Sequence, residues 1–308
     1  MALQAKVPSD NARFGNLEVR ATSKMALLKA QNPLDWLAQC WHICMGRRVD
    51  PERDEWLLGP IGRPSEKSSE FIERFAAEKG LTIYRNKPGA GLHSGISELG
   101  LPITPEVADF YLHTIDYTFE VTSSWESKFG ILGRLVSRLF GMRVQQLNLP
   151  TAKPHMTSRF SSEIIQLLDD EGKVVYTIWI RSIEETGEVV FYGVYLPCRL
   201  PSGACGVKSV FPLPQGNVTV IFALRQGSLG ELQLVAAANE VRDTGFYVFV
   251  EDRRGVLWKR NIPALRQQIS VCGSGDSELA AEHSISMYRF KAYQMNYKIR
   301  KKGCNTSI

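Results

Sequence analysis

The spacing of the hydrophobic residues changes once along the chain, near Pro154. Before this residue, apolar side chains recur every three or four positions, which is the period of an amphipathic helix. This pattern, with its flanking capping residues and glycines, predicts four helices. Two of them begin at Asn32 and Thr104, and the other two cover about residues 65–79 and 129–143.

Beyond Pro154, apolar and polar residues alternate with a period of two, which is typical of β-strands. Short turns rich in glycine separate these stretches, and no helical pattern interrupts them. Closely spaced strands of this kind form an antiparallel meander that curls into a barrel or sandwich. We therefore expect an α+β protein, with N-terminal helices packed on a large antiparallel β-sheet that forms a barrel or strongly curled meander. The predicted strands are 163–168, 173–183, 189–196, 206–211, 218–224, 231–237, 245–251, 255–259, 268–271 and 283–299.

Three regions follow from these patterns. Residues 1–24 are polar and lack a repeating apolar face, so we expect a mobile extension, and Met25 could be a second start. Residues 25–154 form the helical N-terminal region, and residues 155–308 form the antiparallel β-sheet domain. Because no long Ser/Gly-rich linker separates the two, we expect the helices to pack against the sheet.

The composition is that of an ordinary globular protein. Of the 308 residues, 44% are hydrophobic and 22% are charged, and the sequence has no apolar run long enough for a membrane-spanning helix. The net charge of +5 is mild, so we expect no nucleic-acid partner. The six cysteines are irregularly spaced, and the N-terminus has no apolar signal-peptide core, which favours a reducing cytoplasm.

Signatures of metal, cofactor or covalent chemistry are weak. Cys40 and Cys44 lie one helical turn apart with His42 between them, but no second pair of ligands follows, so we expect no metal. The sequence also lacks the glycine spacing of a nucleotide site and the G-x-S-x-G elbow of a hydrolase, so we expect no cofactor. The catalytic residues of an enzyme stay unknown, with His155, His283 or a carboxylate as candidate acid or base.

The hairpin around Thr186 carries the most informative pattern. If Thr186 and the following glycine form the turn, Arg181 pairs with Tyr192, and both faces of the two strands are largely apolar. Both faces must then be covered, one of them by a second layer or a ligand. Arg181 either pairs with a buried carboxylate, stacks on Tyr192 or binds an acidic head group. The last alternative predicts a ligand site formed by Trp179, Arg181 and Tyr192.

A basic amphipathic stretch lies in the predicted helix 129–143. Arg134 and Arg138 flank its apolar stripe, and Lys128 precedes it. This pattern fits a helix docked on the sheet with its arginines in water, and it also fits peripheral contact with an anionic membrane.

Four short stretches, 110–114, 146–150, 210–214 and 297–299, resemble a group of bacterial proteins that carries no named activity. The resemblance implies a bacterial origin and a layout that forms one unit.

Together these patterns favour a non-enzymatic binding protein for a hydrophobic or amphipathic, lipid-like small molecule in a β-sheet cavity. Two alternatives stay open. The protein could be an enzyme that acts on such a ligand within the cavity, or a structural or interaction protein with a filled core.

Overall fold

The computed structural model describes residues 33–63, 66–92, 103–125, 155–228, 230–275 and 278–303. The α-helices in these residues are α1 (Pro33–Met45), α2 (Ser68–Lys79) and α3 (Pro105–Leu112), and two 3-10 turns cover Glu55–Leu57 and Thr114–Asp116. None of these helices is both long and apolar enough to cross a membrane.

The helix boundaries follow the residues that predicted them. Proline is the first residue of α1 and of α3. At this position a backbone N–H has no partner within the helix, so the N–H that proline lacks is not needed. Gly80 ends α2 with a φ of 67°, a conformation that glycine adopts without strain. The predicted extension 1–24 and the predicted helix 129–143, with Lys128, Arg134 and Arg138, lie outside the described residues.

The strands are β1 (Arg47–Arg48), β2 (Thr82–Arg85), β3 (Tyr117–Trp125), β4 (His155–Leu168), β5 (Val174–Ile183), β6 (Val189–Arg199), β7 (Cys205–Leu213), β8 (Gly216–Gln226), β9 (Leu232–Ala236), β10 (Gly245–Glu251), β11 (Leu257–Asn261), β12 (Leu265–Gly275), β13 (Glu278–Met287) and β14 (Phe290–Lys301).

Ten of these strands close into an antiparallel barrel. The order is β8-β7-β6-β5-β4-β3-β14-β13-β12-β9, and β9 pairs back with β8. Strands β10, β11 and β1 extend the sheet from the first half of β8, and β2 adds to β4. The expected antiparallel barrel is present. Strands dominate and helices are a minor part, so the α+β expectation holds only in part.

The strand pattern departs from the prediction most clearly at two places. The predicted strand 283–299 is wrong as a single element, because β13 and β14 form a hairpin whose tip includes Tyr288 at a φ of 53°. Strand β3 was not predicted at all. Like β2, it comes from the region that was expected to be helical, and it completes the barrel wall between β4 and β14.

Apolar side chains pack on both sides of the barrel wall. The largest cluster lines the barrel interior and extends to α3. A second cluster lies outside, where Phe71, Ile72 and Phe75 of α2 cover β4 to β7. A third packs Leu57 against Ile221 and nearby residues. The expectation that both faces of the β5–β6 hairpin are covered is therefore confirmed.

Candidate functional site

The barrel contains a cavity of about 100 Å³, which is room for several waters. Helix α3 contributes to one end of the lining. Nine of the twenty lining residues are aromatic: Phe110, Tyr111, Phe119, Trp179, Phe191, Tyr195, Phe211, Phe222 and Tyr297.

Four further lining residues are polar or charged: Arg181, Ser209, Gln267 and His283. A few polar groups in an otherwise apolar cavity are the usual composition of a small-molecule site, since apolar walls supply affinity and the polar groups fix orientation.

Arg181 extends from β5 into this cavity and is only 7% exposed. Its guanidinium carbon lies 4.2 Å from the ring centroid of Trp179 and 4.1 Å from that of Phe191, so the two rings hold it between them. Its Nη1 donates a hydrogen bond of 3.1 Å to the hydroxyl of Tyr297. These contacts fix the position of the cation but leave its charge without an anion.

Within the described parts of the chain, no carboxylate lies within 4.0 Å of the Arg181 guanidinium. Its Nε has no hydrogen-bond partner there either. The sequence left open a pairing of Arg181 with a buried carboxylate, and the described residues supply none. A buried guanidinium with unused donors favours a bound anion.

His283 of β13 is a further titratable group in the cavity. Its Nε2 lies 2.5 Å from the side-chain amide nitrogen of Gln267, a distance that indicates a hydrogen bond with the amide. Burial, and secondarily the charge of Arg181, lower the pKa of His283 to about 3. The imidazole is therefore neutral at physiological pH and does not add a second positive charge beside Arg181.

Two phenols of the cavity, those of Tyr111 and Tyr195, are also neutral. Burial raises the pKa of Tyr195 and of Tyr111, so neither competes as an anion for Arg181. The Tyr297 hydroxyl accepts from Arg181 and donates to Met295 Sδ at 3.2 Å. The polar groups around the guanidinium thus orient it without neutralising it.

The α3 end of the cavity is held by an ionic cluster outside the barrel. Asp109 accepts hydrogen bonds from Tyr117 Oη (2.5 Å) and Lys301 Nζ (2.8 Å), and lies 2.8 Å from His113 Nδ1. Desolvation opposes ionisation, but these hydrogen bonds outweigh it and lower the pKa of Asp109 to about 2. The cluster fixes α3 so that the neighbouring Phe110 lines the cavity.

The structure brings Trp179 and Arg181 together, but not Tyr192. The predicted pairing of Arg181 with Tyr192 is wrong, because the chain turns between Ile183 and Glu188. A bulge after Arg181 then places it opposite Phe191. A slip of one residue moves a side chain to the other face of the sheet. Tyr192 therefore points away from the cavity and packs edge-on against Phe71 of α2.

Sequence reasoning missed Phe191, Tyr195 and Tyr297 as neighbours of Arg181. Tyr297 was recognisable as part of an alternating face of the last strand, but no local pattern shows that this face meets β5 across the barrel. Gly193 was also missed. It lies opposite Trp179, and a Cβ atom there would be 3.0 Å from the Tyr195 ring.

The candidate metal ligands do not form a site. Among the residues that the structure describes, no cluster of three or more His, Cys, Asp or Glu side chains could hold a metal ion. Cys40 and Cys44 of α1 are free thiols.

The chain was compared with protein-family models, curated proteins and solved structures, and none of them matches it.

Proposed function

We propose that the barrel binds a small amphipathic molecule, with an acidic group on Arg181 and an apolar body along the cavity. The single observation that carries this proposal is the buried guanidinium, which faces the cavity without a carboxylate partner in the described residues. A carboxylate of a ligand would supply the missing anion.

The balance of charge and apolar surface supports an acid with a large apolar part. Sixteen of the twenty lining residues are aromatic or aliphatic, and one of the twenty, Arg181, is a cation. A free inorganic anion would satisfy Arg181 but leave this surface in contact with water. A molecule that joins one acidic group to an apolar body matches both features.

An enzyme acting on such a ligand is the second candidate, since His283 shares the cavity with Arg181. However, a histidine with a pKa of about 3 is not converted to the imidazolium near neutral pH, so it is not available as a general acid, and it is a weak base. The buried, neutral imidazole therefore favours binding over acid–base catalysis.

Titration calorimetry with undecanoate and undecanamide tests the proposal. The two molecules have the same number of non-hydrogen atoms and differ in charge. We expect undecanoate to bind at least about ten-fold more tightly, because a charge-assisted contact contributes on the order of 1.5–3 kcal/mol.

Arg181→Met should abolish this preference, whereas the control Arg225→Met, which removes an exposed arginine of β8, should retain it. Equal binding of acid and amide to the wild-type protein contradicts the proposal. So does an undecanoate affinity that Arg181→Met leaves unchanged.

A further inference from the structure

One wall of the cavity is a continuous series of aromatic rings. The ring centroids of Phe110 and Phe119 lie 5.9 Å apart, those of Phe119 and Trp179 lie 5.5 Å apart, and those of Trp179 and Tyr195 lie 6.1 Å apart. We call these four residues the aromatic wall. The series runs from α3 across β3 and β5 to β6, and all four residues line the cavity.

One residue of the aromatic wall also contacts the Arg181 cation. Trp179 belongs to the wall and also contacts the Arg181 guanidinium at 4.2 Å. A ligand with its acidic group on Arg181 would therefore have its body beside the wall. The interplanar angles along the wall are between 52° and 67°, so the rings are tilted against one another.

We propose that the ligand is a flat, conjugated carboxylic acid rather than a saturated fatty acid. This inference rests on the proposed function and specifies its ligand class. Aromatic pairs in stacked or edge-to-face contact gain more than their buried area alone provides, whereas a saturated body gains only the area. A rigid ring system also loses less conformational freedom on binding than an alkyl chain does.

The closing experiment compares 2-naphthoate with decahydronaphthalene-2-carboxylate by calorimetry. Both acids have the same carbon skeleton and the same charge, and only the first is aromatic and flat. The saturated acid has the larger apolar surface, so area alone would favour it. We expect 2-naphthoate to bind about ten-fold more tightly, and 2-naphthamide to bind more weakly than 2-naphthoate.

Two variants test whether the preference for 2-naphthoate arises from the aromatic wall. Phe119→Leu removes a ring of the aromatic wall and keeps an apolar residue, and it should reduce the preference to about three-fold or less. Phe249→Leu, the matched control, removes a buried ring of β10 that does not line the cavity and should retain the preference. Loss of the preference in Phe249→Leu, or its retention in Phe119→Leu, would overturn the assignment to the wall. If Phe119→Leu does not fold, the comparison of the acids in the wild-type protein decides the inference.

The outcomes separate this inference from the proposed function. Binding of undecanoate that depends on Arg181, with no preference for 2-naphthoate over its saturated counterpart, overturns the inference and leaves the acid-binding role standing. Failure of all the acids to bind overturns both.

Discussion

Replacement of Arg181 by methionine separates a structural ion pair from a ligand anchor. Met removes the charge and fills a similar apolar volume between the rings of Trp179 and Phe191. If a protein carboxylate paired with Arg181, the variant would leave that carboxylate buried and alone, which costs about 3–5 kcal/mol. The described residues offer no such carboxylate, so we expect a different outcome.

The magnitude follows from the contacts of the guanidinium. The variant loses two ring contacts, each about 0.5–2 kcal/mol, and a hydrogen bond to Tyr297 of about 1.5–3 kcal/mol. It also removes the desolvation penalty of a buried cation, which is several kcal/mol. These opposing contributions are of similar size. We therefore expect the free energy of unfolding of the ligand-free protein to change by no more than about 1 kcal/mol.

Urea unfolding and thermal melts of the ligand-free wild type and Arg181→Met measure this change, with Arg225→Met as the control. With undecanoate present, the wild-type melting temperature should rise, and that of Arg181→Met should rise much less. A loss of 3 kcal/mol or more in the ligand-free variant (about the figure for an orphaned buried carboxylate) would refute the anchor role.

Three further variants test other parts of the structure. Tyr192→Phe should leave ligand affinity unchanged, and it should keep the stability or raise it by up to about 1 kcal/mol, because the buried hydroxyl has no hydrogen-bond partner in the described residues. Calorimetry measures the affinity and urea unfolding measures the stability. Weakened binding would contradict the observed register. The stability of His283→Gln should be less sensitive to acid than that of the wild type, because the folded pKa of His283, about 3, lies below its ordinary value of 6.5. Wild-type stability therefore falls as the pH drops from 6.5 toward 3, by up to about 1.4 kcal/mol per pH unit relative to the variant. Parallel curves would contradict a neutral, buried His283. Asp109→Asn should lower stability at pH 7 by about 1 kcal/mol, a small value because the side chain is 32% exposed. This difference in stability should vanish as the pH falls from 3.8 to about 2. An unchanged stability at pH 7 would show that the cluster does not hold α3.

Local patterns were sufficient for most of the secondary structure. Asn32 and Pro33 mark the start of α1, Gly80 marks the end of α2, and the alternation after Pro154 indicates the strands. The apolar character of both faces of the β5–β6 hairpin correctly required a layer on each side, and the barrel interior and α2 provide them. These features depend on residues that are near one another in the sequence.

The remaining errors involve interactions that sequence spacing does not encode. The bulge between Arg181 and Ser182 moves Tyr192 to the outer face, although the alternation of residues in each strand is unchanged. Likewise, Tyr297 meets Arg181 across the barrel although the two are far apart in the sequence. The importance of Arg181 was predictable from its apolar neighbours, but its contacts depend on closure of the barrel.

A crystal structure of the protein with undecanoate tests the central claim most directly. We expect the carboxylate within hydrogen-bonding distance of the Arg181 guanidinium and the alkyl chain inside the barrel. A carboxylate side chain of the protein itself on Arg181, or undecanoate bound only outside the barrel, would contradict the claim.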